Sequence, residues 1–244
     1  MCKLTNPLNS PDLLEIVFSN LAPVDIKSAA LVSRTWNSVI ETAKFWSWAQ
    51  VTLTSENFSE IFPSYRFRSV SNVTLSFHDK LSDGQLKELF SNFSKLPDLK
   101  LKHLDICHND LSSIKPSVLS QVVMRLEEVC LPGTNLTQAQ ALALFEAIAE
   151  CEDLKLRHLI ISYDDLSFIQ PSVLSQAVVR LEEVWLFWTE LTGQQVEDIF
   201  HLVIKAGAEG RLRLRSLYIS QGNVSSLSPS VIQQVNEILH LIVY

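Results

Sequence analysis

Two segments of this chain nearly copy each other at a shift of 55 residues. One runs LKHLDICHNDLSSIKPSVLSQVVMRLEEVCLPGTNLTQAQ from Leu101, and the other LRHLIISYDDLSFIQPSVLSQAVVRLEEVWLFWTELTGQQ from Leu156. A third copy, LRSLYISQGNVSSLSPSVIQQV, starts at Leu214. Self-similarity at a fixed period restricts a chain to a stack of like units, because no unit can bury its apolar face alone. Each block divides again into a short unit, from Leu101, and a long unit, from Leu126. Both open on one frame, L-x-x-L-x-L: Leu101, Leu104 and Ile106 in the first, Leu126, Val129 and Leu131 in the second. The frame recurs upstream at Trp48, Val51 and Leu53 and at Val70, Val73 and Leu75. Downstream it recurs at Leu181, Val184 and Leu186, and at Leu239, Ile242 and Tyr244. The expected unit starts are therefore 48, 70, 101, 126, 156, 181, 214 and 239.

Each unit reads as a short strand followed by a helix, with frame positions one, four and six turned into the core. Helix starts are explicit in the long units. Ser82 with Gln85, Thr137 with Gln140 and Thr192 with Gln195 form capping boxes at equivalent places. Apolar residues at helical spacing follow, such as Leu86, Leu89, Phe90 and Phe93. The short units place Pro116, Pro171 and Pro229 where a first helical turn tolerates a missing N–H.

The chain of 244 residues is 47% hydrophobic and 19% charged, with a net charge of −7. That composition fits one or two domains with a large core. The acidic balance disfavours a general nucleic-acid or anionic-membrane binder as the main role. Cys2, Cys107, Cys130 and Cys151 form no C-x-x-C pair, so neither a zinc knuckle nor a disulfide framework is expected. No apolar run reaches membrane-spanning length, and the first residues show no signal core. The sequons at Asn57, Asn72, Asn92, Asn135 and Asn223 are then expected to be idle, the thiols reduced, and the location cytoplasmic and/or nuclear.

The frame, its copies and the alternating unit lengths resemble leucine-rich repeats, similar to the ribonuclease-inhibitor type, over residues 48–244. The resemblance implies a solenoid with parallel strands on the concave side and helices on the convex side. The asparagine of that family survives clearly as Asn109, while Asp164 and Thr134 stand at equivalent positions.

Residues 9–47 do not fit the repeat and read as three short helices. Ser10 and Pro11 open the first, which carries Leu13, Leu14, Val17, Phe18 and Leu21. Asp25 caps the second, with Ala29, Ala30 and Leu31. Trp36, Val39 and Ile40 lie on the third. The run Leu13–Leu21, then Pro23-Val24-Asp25-Ile26, then Ala29–Trp36, then Phe45-Trp46, resembles an F-box. Asn9-Ser10 stands where that family usually has Leu-Pro, and Ser33 where it has cysteine. The resemblance gives an α/β architecture in two parts: a helical F-box over 8–47 and leucine-rich repeats over 48–244. It implies docking on the Skp adaptor, and through it on the cullin, of an SCF-type ubiquitin ligase. Pro11, Leu13, Leu14, Val17, Phe18, Leu21, Leu31, Val32 and Trp36 would make the adaptor contacts; intradomain packing is the alternative for each of the apolar side chains among them.

On the repeats, frame positions three, five, seven and eight should line the concave face. Tyr163, Trp185, Phe187, Trp188 and Tyr218 should therefore cluster on neighbouring strands, with Glu183 and Glu128 as a polar edge. Contiguous exposed aromatics usually mark a binding site, here for a protein substrate. A register error of one residue would instead place these rings in the core. His103, Cys107, His108 and Cys130 approach each other on adjacent strands, but ordinary surface and core roles explain them, so no metal and no cofactor is expected. Arg211, Arg213 and Arg215 read as the solvated side of a strand. With no phosphate loop and no nucleophile motif, a non-catalytic subunit is expected, bringing substrate to enzyme for ubiquitination. The alternative is a repeat scaffold or inhibitor whose front end only caps the solenoid. The apolar strand at 239–244 suggests either a fragment or an edge covered by a partner or by self-association.

Overall fold

The computed structural model describes residues 10–18, 29, 32–40, 50–61, 70–97 and 99–243. Helices α1 (Pro11–Phe18) and α2 (Arg34–Ile40) come first. Most of the second expected helix, with Leu31, lies outside the described residues, as does Leu21 from the expected first helix; Ala29 is buried. The repeats then alternate strand and helix: β1 (Gln50–Leu53), α3 (Phe58–Ile61), β2 (Asn72–Leu75), α4 (Asp83–Lys95), β3 (His103–Asp105) and α5 (Pro116–Val123). They continue with β4 (Glu128–Cys130), α6 (Gln138–Glu150), β5 (His158–Ile160), α7 (Pro171–Val179), β6 (Glu183–Leu186) and α8 (Gly193–Ala208). The last elements are β7 (Ser216–Ile219), α9 (Gln221–Val224), α10 (Pro229–Ile238) and β8 (His240–Val243). The eight strands form one parallel sheet in chain order. This is the α/β solenoid that the repeat implies.

Register follows the frame. Position three pairs with position three along the stack, as in Gln50 with Asn72, His103 with Glu128 and Glu183 with Ser216. Positions one, four and six are buried in unit after unit, for example Leu156, Leu159 and Ile161, or Leu181, Val184 and Leu186. Period-two alternation gives each strand one dry face and one wetter one.

All three capping boxes form, with Ser82, Thr137 and Thr192 accepting from the third helical N–H. The glutamines do more than cap. Gln140 Nε2 donates to Leu111 O and Ile114 O, both at 2.6 Å, and Gln195 Nε2 to Leu166 O and Ile169 O, both at 2.7 Å. Each long-unit helix is thus bonded to the turn of the short unit before it. Arginines clamp the other side: Arg125 Nη1 donates to Phe93 O at 2.9 Å and Arg180 Nη1 to Ala149 O at 2.6 Å, and both also reach carbonyls just past those helices. These satisfy acceptors that every helix C-terminus leaves orphaned.

The last unit departs from the expected frame. His240, not Leu241, pairs with Ser216, so β8 begins its frame at Ile238 rather than at Leu239. The cause is local. The residue that copies Arg125 and Arg180 is Ile238, and α10 runs on through it. The Leu239 N–H closes on Val235 O, and the chain enters the strand at once. One residue is lost between helix and strand, which exchanges the two faces of β8. Ile242, expected in the core, stands beside Tyr218 instead. A cavity of about 630 Å³, lined by Gly207, Ile238 and Arg215 among others, opens at this end.

Candidate protein-docking faces

Four consecutive units turn left-handed at position eight: His108 (φ 60°), Gly133 (φ 63°), Tyr163 (φ 65°) and Trp188 (φ 49°). Glycine suits this backbone, and a Cβ on Gly133 would come within 2.6 Å of the His108 ring. Aromatic residues suit it poorly, at about 1 kcal/mol each. Yet Tyr163 and Trp188 sit there with 58% and 61% of their surfaces exposed, stacked on each other at 5.0 Å between ring centroids and 16° between planes. The costly backbone and the exposed apolar surface thus coincide at these two residues.

The other three rings join this pair. Trp185 lies 4.3 Å from Tyr218 and 5.5 Å from Phe187, and Phe187 lies 5.8 Å from both Tyr218 and Trp188. The Trp185 indole N–H donates to Glu183 Oε1. Trp185, Phe187 and Tyr218 are half-buried, and the core residues between them, Val184 and Leu186, are fully buried. The rings therefore lie outside the core, as a continuous patch over β5, β6 and β7. Trp188→Gly should relieve backbone strain while losing a ring stack worth about 0.5–1.5 kcal/mol. Its denaturation midpoint should correspond to a stability within about 1 kcal/mol of the parent; a loss of several kcal/mol would mean that the ring supports the core.

Towards β1 the concave face becomes polar. Glu128 Oε2 stands 3.1 Å from His103 Nδ1 and 3.6 Å from His158 Nδ1, a carboxylate between two imidazoles. His108 lies against Phe77 at 4.7 Å instead of facing the thiols. Cys107 Sγ and Cys130 Sγ meet at 3.0 Å. With Asp105 they form the one group of three potential metal-ligating residues among the described residues, all donor atoms within 4.8 Å. The sequence brought the cysteines together correctly but with histidines where the structure has a carboxylate. The hydrogen bond with Cys130, burial and the Asp105 carboxylate all push the Cys107 thiol up, which keeps it a poor nucleophile at neutral pH. Arg211 pairs with Glu209, and Arg213 reaches Glu182 at 4.0 Å, so two of the three clustered arginines have carboxylate partners.

At the front end, α1 carries two apolar pairs spaced one turn apart, on different faces. Leu14 and Phe18 are buried, and Phe18 meets Trp36 edge-on at 5.3 Å. Leu13 and Val17 are 48% and 49% exposed, and Val32 is 62% exposed. The residues expected to touch an adaptor are thereby divided: Leu14 and Phe18 lie in the chain's own core, Trp36 packs beside them, and Leu13, Val17 and Val32 face outward. Pro11 opens α1. Leu21 and Leu31 lie outside the described residues.

Comparison with protein-family models finds an F-box domain over residues 10–48 and a leucine-rich repeat over residues 100–122. The chain carries an F-box domain and leucine-rich repeats. No curated protein matches it. An F-box followed by leucine-rich repeats fits substrate-recognition subunits of SCF ligases in general, and the architecture is typical of non-catalytic adaptor proteins. F-box domains generally bind the Skp adaptor, and leucine-rich repeats bind protein substrates. Among the described residues, no helix of this F-box/leucine-rich-repeat chain is long and apolar enough to cross a membrane.

Proposed function

We propose that the chain is a non-catalytic substrate-recognition subunit of an SCF-type cullin–RING ubiquitin ligase, acting in the cytoplasm and/or nucleus. Its F-box domain, taken as residues 8–47, grips the Skp adaptor. Its repeats, taken as residues 48–244, hold a protein substrate on the concave face for ubiquitination and degradation. The F-box match carries this reading, and the outward-facing Leu13, Val17 and Val32 support it, since helix-face docking uses apolar anchors left free by the domain's own packing. Tyr163, Trp185, Phe187, Trp188 and Tyr218, with Glu183 at the edge, are the proposed substrate contacts. Buried large aromatics dominate the energetics of protein interfaces. The subunit would act by raising the local concentration of substrate at the enzyme.

Two double variants test the two faces separately. Leu13→Asp/Val17→Asp should lose the adaptor in a pull-down while its circular dichroism and melting stay close to those of the parent. Trp185→Ala/Trp188→Ala should retain the adaptor in full. Retention of the adaptor by the first variant would remove α1 from the interface. Leu14→Ala/Phe18→Ala should by contrast unfold the front end, because both side chains are buried.

A further inference from the structure

The face that carries the five rings also has a one-sided charge. On the outward positions of the strands and the turns after them, positions three, five, seven and eight, the charged residues are Asp105, Glu128 and Glu183. No lysine or arginine occupies any of these positions from β1 to β8. Cations do stand next door, at position two: Lys102, paired with Glu127 at 2.8 Å, Arg157, paired with Glu182 at 3.3 Å, and Arg215 on β7. Of the acidic groups themselves, Glu128 lies between His103 and His158, and Glu183 accepts from the Trp185 indole. The aromatic faces add to the same field, since each ring presents negative potential to a cation above it, Trp most strongly.

The chain itself contains an example of such a contact. Phe77 occupies position eight of its unit, the position of Tyr163 and Trp188, and Lys80 Nζ lies 5.7 Å from the centre of its ring. Among the described residues, no lysine or arginine lies over Trp185 or Trp188. From these observations we propose that the concave face takes a cationic linear segment of its partner, with an arginine or lysine head laid on Trp185 and Trp188 and held at the edge by Glu183. This rests on the patch being the substrate face. Strands are spaced roughly 4.8 Å apart, so the rings on β5, β6 and β7 span roughly 10 Å, the reach of about three extended residues. A short basic motif therefore suffices, and a cation displaced one strand further would meet Glu128. A phosphorylated segment would find no guanidinium or ammonium among these positions to receive it. The net charge of −7 would also speed encounter with a basic segment.

The test uses the full chain co-purified with the Skp adaptor and a displayed pool of random 12-residue peptides. Peptides retained by this complex but not by its Trp185→Ala/Trp188→Ala counterpart are sequenced, after circular dichroism shows that the variant is folded. The expected result is a pool enriched in arginine and lysine. The best peptide should bind at least tenfold more weakly when its arginines are replaced by citrulline, which keeps the shape and removes the charge, and also more weakly to Glu183→Gln. Tryptophan-dependent peptides that are acidic or purely apolar would overturn the cationic assignment and leave the docking face standing. Basic peptides that bind the tryptophan variant equally well would reduce the effect to bulk attraction and overturn it too. No tryptophan-dependent peptide at all would overturn both the assignment and the docking face.

Discussion

Gln195→Ala is expected to cost about 3–5 kcal/mol, a large share of the stability of an ordinary domain. The Gln195 side chain is wholly buried and makes three bonds: its Oε1 accepts from the Thr192 N–H at 2.7 Å, and its Nε2 donates to Leu166 O and Ile169 O at 2.7 Å. Alanine would take the side-chain partner from the Ile169 carbonyl and the Thr192 N–H, leave Leu166 O with the Ile169 N–H alone, and open a cavity. Gln140→Ala should behave alike, since its partners are Thr137, Leu111 and Ile114. Gln85→Ala should cost about 1 kcal/mol, because Gln85 is half-exposed and its Nε2 bonds Ser55 O alone. Denaturant titration of the three variants should rank them in that order. Equal small losses would mean that these glutamines act as helix caps and do not join the units.

Asp164→Asn is the second large effect, and it is expected to stabilise. Asp164 occupies the position of Asn109. Asn109 accepts from the Leu81 N–H and donates to the carbonyls of Ser76, Ile106 and Cys107. Asp164 keeps only the accepting half: Oδ1 takes the Leu136 N–H at 3.1 Å, while the buried Oδ2 has no hydrogen-bond partner. Burial pushes its carboxyl up to about 6, against an ordinary 3.8, and the Leu136 bond offsets only part of this. A carboxyl raised in the native state costs nothing where both states are protonated, below about pH 4. The cost grows as pH rises from there, because the unfolded chain ionises first, and it is complete above about pH 6. Asparagine restores the donor, facing the carbonyls of Ile161 and Ser162 at the places of Ile106 and Cys107. The variant should therefore gain about 1–3 kcal/mol at pH 7.5, with the gain shrinking as pH falls through 6 towards 4. A gain that is independent of pH would mean that Asp164 is protonated throughout or solvated.

How much of this was legible in the sequence differs from element to element. The strands and their register followed from the frame, because an alternating buried face leaves one register open. The same alternation placed the five rings outside the core. The capping boxes were legible because both partners lie within one turn. The second task of Gln140 and Gln195 was not, because their acceptor carbonyls lie 26–29 residues away. The left-handed turn at position eight was hidden where Tyr163 and Trp188 replace the glycine that would have announced it. The slip of β8 was hidden because the copy continues unbroken to Leu239, and only the loss of an arginine at Ile238 marks it. In α1, both pairs, Leu13 with Val17 and Leu14 with Phe18, are apolar, so helical spacing alone does not say which faces the core.

Mass measurement of a co-expressed complex decides whether this chain joins an adaptor through its F-box domain. The chain is co-expressed with a Skp adaptor, purified through a tag on the adaptor, and passed through size exclusion with light scattering. A single species with the mass of one chain and one adaptor is expected. A folded chain that elutes alone, with the adaptor running separately, would contradict it and leave a repeat scaffold with a helical cap.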